Sequence, residues 1–382
     1  MKLALVASSY LPRPGPLERH VHELAAGLTV RGVEVEVLTQ DRRSRFPPVS
    51  EFDGFVVRRF CGPFINARLG VAPALWDHLR RTASSFDLVH AHGGHASLAL
   101  AAARARPRRL VVTLHAPVAR LIRRPYSSVF RALIRHGAQI LCTATAESEV
   151  LRRTFPWAAN QIGVVRQGVD IAAINAARPF AYPGIVVLTA GPIERQQRMD
   201  IAVGAMPALD PAFRLAIVGD GPAREKLLAH AADLRVSSRV NLVGSLADAE
   251  LYRWLRTATV VTALAEDESS GQHVVEALCA GAQVVASDIA VHREAVSHAG
   301  GGAVFVSRAG SPIDVADAIR LAADLGLAAD LGVADTLRGA ADLGGPERLR
   351  LELPTWEETV ERTLALYMAV IRGMPQVAAA GS

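Results

Sequence analysis

Short runs of β-branched and aliphatic residues alternate with helix-like stretches from one end of the chain to the other. This alternation restricts the fold more than any other feature. In the first half the runs are "KLALVAS" (2 to 8), "VEVEVLT" (33 to 39), "FVVRRF" (55 to 60), "DLVHAH" (87 to 92), "LVVTLH" (110 to 115), "QILCTAT" (139 to 145) and "IGVVR" (162 to 166). In the second half they are "GIVVLTA" (184 to 190), "FRLAIVG" (213 to 219), "RVNLVG" (239 to 244), "ATVVTAL" (258 to 264), "AQVVAS" (282 to 287) and "GAVFV" (302 to 306). Near-continuous apolar strands joined by helices predict parallel sheets covered on both faces. The first helix, about residues 17 to 31, carries Leu17, Val21, Leu24 and Leu28 on one face and stops at Arg31-Gly32.

A chain of 382 residues exceeds one ordinary core, so two doubly wound α/β domains facing across a cleft are expected. The boundaries read as 1–173, a linker at 174–184 ("INAARPFAYPG", with two prolines and a glycine), 185–355, and a terminal helix from 356. That last run, "WEETVERTLALYMAVI", is amphipathic and is expected to pack back on the N-terminal domain. "AADLG" occurs three times between Ala322 and Gly344 and reads as short surface helices broken at each glycine. In doubly wound sheets, ligands bind outside the carboxyl ends of the strands.

Composition excludes several classes. Half the residues are hydrophobic and 21% charged, which is globular rather than disordered. No apolar run reaches the roughly 20 residues that span a bilayer. The opening "MKLALVASSYLP" has one Lys, a very short apolar run and no small-residue cleavage site, so a buried strand is the better reading than a signal peptide. Cys61, Cys142 and Cys279 are far apart and odd in number, giving neither a disulfide framework nor a metal spacing. A cytoplasmic location is therefore expected. The net charge of +5 gathers in "RARPRRL" (104 to 110) and in 120 to 136. This is either a solvated surface or a basic patch for a phosphorylated ligand or a peripheral membrane contact. Without interleaved aromatic residues, nucleic acid is disfavoured.

The chemistry concentrates in "AEDESSGQHVVEALCAG" (265 to 281), where Glu268 and Glu276 bracket a Ser/Gly turn and a helix start near Gly271-Gln272. The first-turn amides of a helix have no partners within it and, with the helix dipole, form an anion site. Ser269, Ser270 and Gly271 are small enough for a ligand to reach the backbone. The plainer alternative is one acid favouring the dipole and another solvated on the helix. "HAHGGH" (90 to 95) raises a metal, but His90, His92 and His95 have no carboxylate or cysteine nearby to complete a set. No metal site is expected there, and His90 reads as a hydrogen-bonded core histidine.

Taken in order, these stretches resemble the retaining glycosyltransferases of family 4, with two Rossmann-like domains in the GT-B fold. The resemblance rests on "SSYLPRPGPLERHVHELAAGLTVRGVEVEVLT", "FDLVHAH", "VVTLHAP", "VVRQGVD", "AIVGDGPAREKL" and "EDESSGQHVVEALCAGAQVVASDIAVHREAV". It covers nearly the whole chain and includes the paired-glutamate signature, with seven residues between Glu268 and Glu276. It implies Glu268 reading the hydroxyls of a donor sugar and Glu276 the ribose. It places His92 near the acceptor and His115 close to the donor sugar. The donor phosphates and nucleotide would meet Gly15, Ser269, Ser270, Gly271, Gln272, His273, Gly191, Gly219 and Gly221. The family usually has two adjacent glycines in its first loop; here the pair is Gly15-Pro16, and proline removes one amide. Glu18 and His20 follow on the helix, placed to face the cleft.

The sharpest departure is "GPIERQQRMD" (191 to 200). The family usually has Arg and Lys at the second and seventh positions, where they neutralise the donor diphosphate. Here these are Pro192 and Gln197. Each missing charged contact would cost roughly 1.5–3 kcal/mol if uncompensated. Other cations could substitute (Arg195, Arg198 or the Arg120 to Arg124 cluster), the donor's phosphates could be bound differently, or the chain could be a non-catalytic sugar- or partner-binding relative. Another sugar-nucleotide enzyme on the same fold is a further alternative. The expectation is a metal-independent retaining transferase without a cofactor. Its donor would be a nucleoside diphosphate sugar, UDP- or GDP-linked, and its acceptor a small or lipid-linked molecule.

Overall fold

The computed structural model describes residues 1–13, 15–41, 46–61, 72–93, 102–105, 109–122, 126–299, 302–307, 310–330 and 353–373. The chain divides into two compact units, 1–168 with 354–382, and 169–353.

The first unit holds an eight-stranded sheet. Its strands are β1 (Lys2–Ala7), β2 (Glu34–Gln40), β3 (Val49–Phe52), β4 (Phe55–Phe60), β5 (Leu88–Gly93), β6 (Leu110–Leu114), β7 (Gln139–Cys142) and β8 (Ile162–Val164), in the order β3-β4-β2-β1-β5-β6-β7-β8. All pairings are parallel except β3 with β4. Alternate residues face two separate cores, as burial on both faces requires: Leu3 and Leu5 pack with the helix Pro16–Val30, whereas Ala4 and Val6 pack with Leu75, Leu79 and Phe130. The periodicity of the sequence missed β3. Asp53 (φ 43°) and Gly54 (φ 81°) form the two-residue turn that joins it to β4. An Asp-Gly pair is a hairpin signal in its own right.

The terminal helix Trp356–Arg372 belongs to this unit and opens with a capping box of Thr355 and Glu358. Its buried face carries Val360, Thr363, Leu366, Tyr367 and Val370 against the helix Pro16–Val30. A Cβ at Gly27 would come within 2.6 Å of Val360, so the helices approach closely only because that position is glycine. Likewise a Cβ on Gly168 would lie 2.6 Å from the Trp356 backbone. Gly168→Ala is expected to cost about 1–3 kcal/mol through overpacking and to lower the thermal midpoint. An unchanged melting temperature in calorimetry would contradict that packing.

The second unit is built on β9 (Ile185–Ala190), β10 (Phe213–Val218), β11 (Val240–Gly244), β12 (Val260–Ala263), β13 (Gln283–Ser287) and β14 (Ala303–Val306), ordered β11-β10-β9-β12-β13-β14 and wholly parallel. Val186 and Leu188 of β9 face one core and Val187 the other. The stretch read as a linker from its prolines is part of this unit. Asp170 caps the helix Ile171–Ala176, Ile174 is fully buried, and Phe180 and Tyr182 pack on Trp254 at 5.1 and 5.2 Å between ring centroids. Two aromatic side chains with a buried partner outweigh the Pro/Gly signal.

The first "AADLG" copy also departs from expectation. Ala322 and Ala323 are buried and Gly326 lies inside the helix Pro312–Asp330 without breaking it; the other copies extend beyond the described residues. In the basic segment 120 to 136, the helix Tyr126–Arg135 turns Phe130, Leu133 and Ile134 into the core. Arg123 and Arg124 lie outside the described residues. Among the described residues no helix is long and apolar enough to cross a membrane.

Candidate active site

In the second unit β9 is the first strand in sequence and lies between β10 and β12. The winding reverses there, and the crevice beyond the carboxyl ends of such strands is where ligands bind in doubly wound sheets. The loops leaving β9 and β12 are joined by a hydrogen bond from the Glu266 amide to the Gln196 carbonyl at 3.0 Å. Gly191 (φ 135°) and Gly219 (φ 138°) occupy backbone that disfavours side chains. A Cβ on Gly219 would overlap the Gly191 carbonyl oxygen, and one on Gly221 that of Ile193. These glycines lock the loops after β9 and β10 together.

The helix after β12 runs Gln272–Cys279, begun by Gly271 at φ 65°. A Cβ there would meet Ala295 at 2.7 Å, so glycine is required on both conformational and packing grounds. Ser270 Oγ accepts the Gln272 amide at 3.3 Å. Glu276 is buried to 1% exposure, accepts a hydrogen bond from Gln272 Nε2 at 3.1 Å, and has His273 Nδ1 3.8 Å away. His273 also borders Gly191: a Cβ on that glycine would touch its ring at 3.4 Å.

Glu268 lies in the loop before this helix, its Oε2 2.8 Å from Nε2 of His292. Burial alone would push its carboxyl up. The His292 hydrogen bond, the nearby charges of His292 and His273 and the Gly271 amide outweigh that and hold it below the usual carboxylate range. His292 is fully buried, with Nδ1 3.0 Å from the Ser287 carbonyl and 3.1 Å from Ser287 Oγ. His292 and Ser287 both sit in the stretch that carried the resemblance, yet no spacing rule ties them to Glu268, and the sequence reading assigned them no role.

The two candidate replacement cations differ. Arg198 sits at a left-handed turn (φ 52°) and is paired with Glu266 at 2.9 Å and Asp200 at 3.5 Å. Arg195 is exposed on the short turn just before it, and Pro192 is exposed too.

In the first unit β1 lies between β2 and β5, a second switch point. Glu18 is buried, accepts a hydrogen bond from Ser9 Oγ, and folds over Gly15 so closely that a Cβ there would overlap its carboxylate. His92 closes β5 beside Ala7 and Thr113, with Nδ1 3.2 Å from Nε2 of His115. His90 is a core residue: its two nitrogens meet Tyr367 Oη and Thr113 Oγ1. Burial lowers the pKa of His20 to about 4 and holds His90, His92 and His115 well below the usual imidazole range, so all four rings are neutral. His95 lies outside the described residues. Among the described residues, His20, His92 and His115 are brought together, with a ring nitrogen of each within 4.8 Å of the others.

Two family models match the chain, Glycosyltransferase Family 4 over residues 17–173 and Glycosyl transferases group 1 over 172–331. D-inositol 3-phosphate glycosyltransferase 1 of Catenulispora acidiphila is 28% identical, over 96% of this chain and 95% of its own. Among solved structures, sucrose-phosphate synthase from Thermosynechococcus elongatus superposes with a TM-score of 0.75 at 19% identity, covering 97% of this chain and 99% of that one. The Anabaena protein HepE in complex with UDP and glucose gives 0.70 at 19% identity, covering 97% and 99%. With matches to both family models running from residue 17 to 331 and a shared architecture over nearly its full length, the chain belongs to the family 4 glycosyltransferases of GT-B fold.

Proposed function

We propose that this glycosyltransferase is a retaining enzyme that takes its sugar from a nucleoside diphosphate donor and uses no metal at the diphosphate. The observation that carries the reading is the pair Glu268 and Glu276, set on either side of the start of a glycine-begun helix at the β9/β12 switch point. Glu276, buried and braced by Gln272, accepts hydrogen bonds from the ribose. Glu268, kept ionised by His292, accepts them from the sugar hydroxyls. The N-terminal end of this helix takes the diphosphate through its dipole, aided by Ser269, Ser270 and the loops at Gly191, Gly219 and Gly221.

Arg195 supplies the cation that Pro192 and Gln197 do not, since Arg198 is already neutralised by two carboxylates. The complex that HepE forms with UDP and glucose supports UDP as the first nucleotide to try, with GDP second. The name of the Catenulispora relative supports a small phosphorylated acceptor, and a lipid-linked one is the other class to test. The neutral imidazoles of His92 and His115 serve as hydrogen-bonding groups for the acceptor and the donor sugar. Retention then follows front-face departure of the diphosphate, with acceptor entry from the same side and no protein nucleophile.

Nucleoside diphosphate at millimolar concentration is expected to raise the melting temperature, because ligand that binds only the folded state stabilises it by mass action. Glu276→Ala should weaken that binding tenfold or more, whereas Glu268→Ala should leave it near wild type and lower the transfer rate tenfold or more. Equal, negligible effects of both changes would remove the site assignment. No thermal shift with either nucleotide would turn the reading towards a non-catalytic relative. Arg195→Ala should weaken nucleotide binding more than Arg198→Ala does; the reverse order would reassign the phosphate cation.

A further inference from the structure

We propose that His292 is a positioning residue for sugar transfer: locked by Ser287 and protonated on both ring nitrogens, it shares one proton with Glu268 and fixes that carboxylate for the donor sugar. Ser287 ends β13, and His292 lies on the helix Ala290–His298 that follows it. Glu268 is in the loop after β12, the strand paired with β13. The His292 side chain is sealed at 0% exposure, whereas that of Glu268 keeps 16%. A ligand therefore reaches the carboxylate and not the ring, so His292 acts only through Glu268.

The hydrogen-bond inventory places the protons. Ser287 Oγ has one hydrogen, and it goes to the Ala265 carbonyl at 2.5 Å, an oxygen that can only accept. Towards His292 Nδ1, 3.1 Å away, the hydroxyl is then left as an acceptor. The Ser287 carbonyl, 3.0 Å from the same nitrogen, is an acceptor in any case. Nδ1 must therefore carry a hydrogen. In a neutral imidazole the bond made by one nitrogen decides the state of the other, so Nε2 would keep a bare lone pair. Glu268 Oε2 is 2.8 Å from it, and two lone pairs at that distance repel. A second proton consequently lies between ring and carboxylate.

An isolated buried imidazolium would be costly, but with the carboxylate it forms a neutral, charge-assisted pair. The contacts that hold the Glu268 carboxyl below its usual range leave the shared proton on the ring. The loop after β12 is thus tied at two places, Ala265 by Ser287 and Glu268 by His292.

The role in transfer rests on the reading of Glu268 as the sugar-binding carboxylate, whereas the placement of the proton does not. Full-length protein carrying nitrogen-15 histidine should show, at pH 7 and without ligand, a His292 ring with protons on both nitrogens. Its signal is the one missing from His292→Gln, and in Glu268→Gln it should become that of a neutral ring protonated at Nδ1. A ring protonated on a single nitrogen in the unaltered enzyme would overturn the inference. Turnover is followed as release of nucleoside diphosphate, with UDP-glucose the first donor tried. His292→Leu should lower kcat by about tenfold or more, and His292→Gln, which keeps an N–H donor, by less. Affinity for UDP itself should stay within about twofold in both. A side chain that merely fills space would rank leucine at least equal to glutamine. Undiminished turnover in His292→Leu beside a damaged Glu268→Ala would overturn the positioning role. Undiminished turnover in both would remove the reading of Glu268 and the positioning role with it, while the spectrum still decides where the proton lies.

Discussion

Lowering the pH from 7 to 5 is expected to cost the first unit several kcal/mol of stability. The cause is the set of imidazoles it hides. His20, His90 and His92 are buried, and their pKa values lie below the unfolded value of about 6.5, that of His20 at about 4. Between the folded and unfolded pKa the unfolded chain binds protons that the native rings do not. Stability therefore rises with pH across that window and is lost as pH falls below about 6.5.

Each such ring removes about 1 kcal/mol per pH unit, and His115, which water reaches, removes less. Against a total domain stability of about 5–15 kcal/mol, the loss from three rings is a large fraction. Urea midpoints at pH 7.5, 6.5 and 5.5, measured with chelator present and resolved by hydrogen exchange for each unit, would show the effect. Equal midpoints at all three values would mean that the native rings take up protons freely.

Gly219→Ala should be the most damaging single substitution at the candidate site. A Cβ there overlaps the Gly191 carbonyl oxygen, and φ of 138° is itself unfavourable for alanine. Strain of about 1–3 kcal/mol and overpacking of about 1–3 kcal/mol together predict a loss of about 3–5 kcal/mol. The loop after β9 must shift to make room, breaking the Gly191 amide bond to Val218 at 2.9 Å, and nucleotide binding should be lost with it. Gly244 provides the contrast: φ is 92°, but a Cβ there meets nothing within 4 Å, so Gly244→Ala should cost only about 1 kcal/mol. Comparable denaturant midpoints for the two variants would refute the close approach of the two loops.

The strands and the glutamate pair were legible because both are written in local order. A buried parallel strand must be apolar almost throughout, and a helix begun by Gly271 next to Ser270 has a small-residue signature. Asp-Gly at 53–54 was equally legible and was passed over because β3 is only four residues long and lacks a clean alternation. Phe180 and Tyr182 were hidden by their prolines, since nothing in sequence links them to Trp254 more than 70 positions away. Arg195 and Arg198 looked equivalent until the fold gave Arg198 two carboxylate partners.

Sequence alone determined the parallel α/β architecture, the second unit's candidate site loops and the departure at Pro192 and Gln197. Each of these is a matter of residue type repeated or placed within one stretch of chain. Tertiary structure alone decided that His292 steadies Glu268, that Glu18 covers Gly15, and that His20 joins His92 and His115. Hydrophobic periodicity records which face of an element is buried. Which polar groups meet at the ends of those elements depends on strand order and loop closure, and these exist only once the sheet has formed.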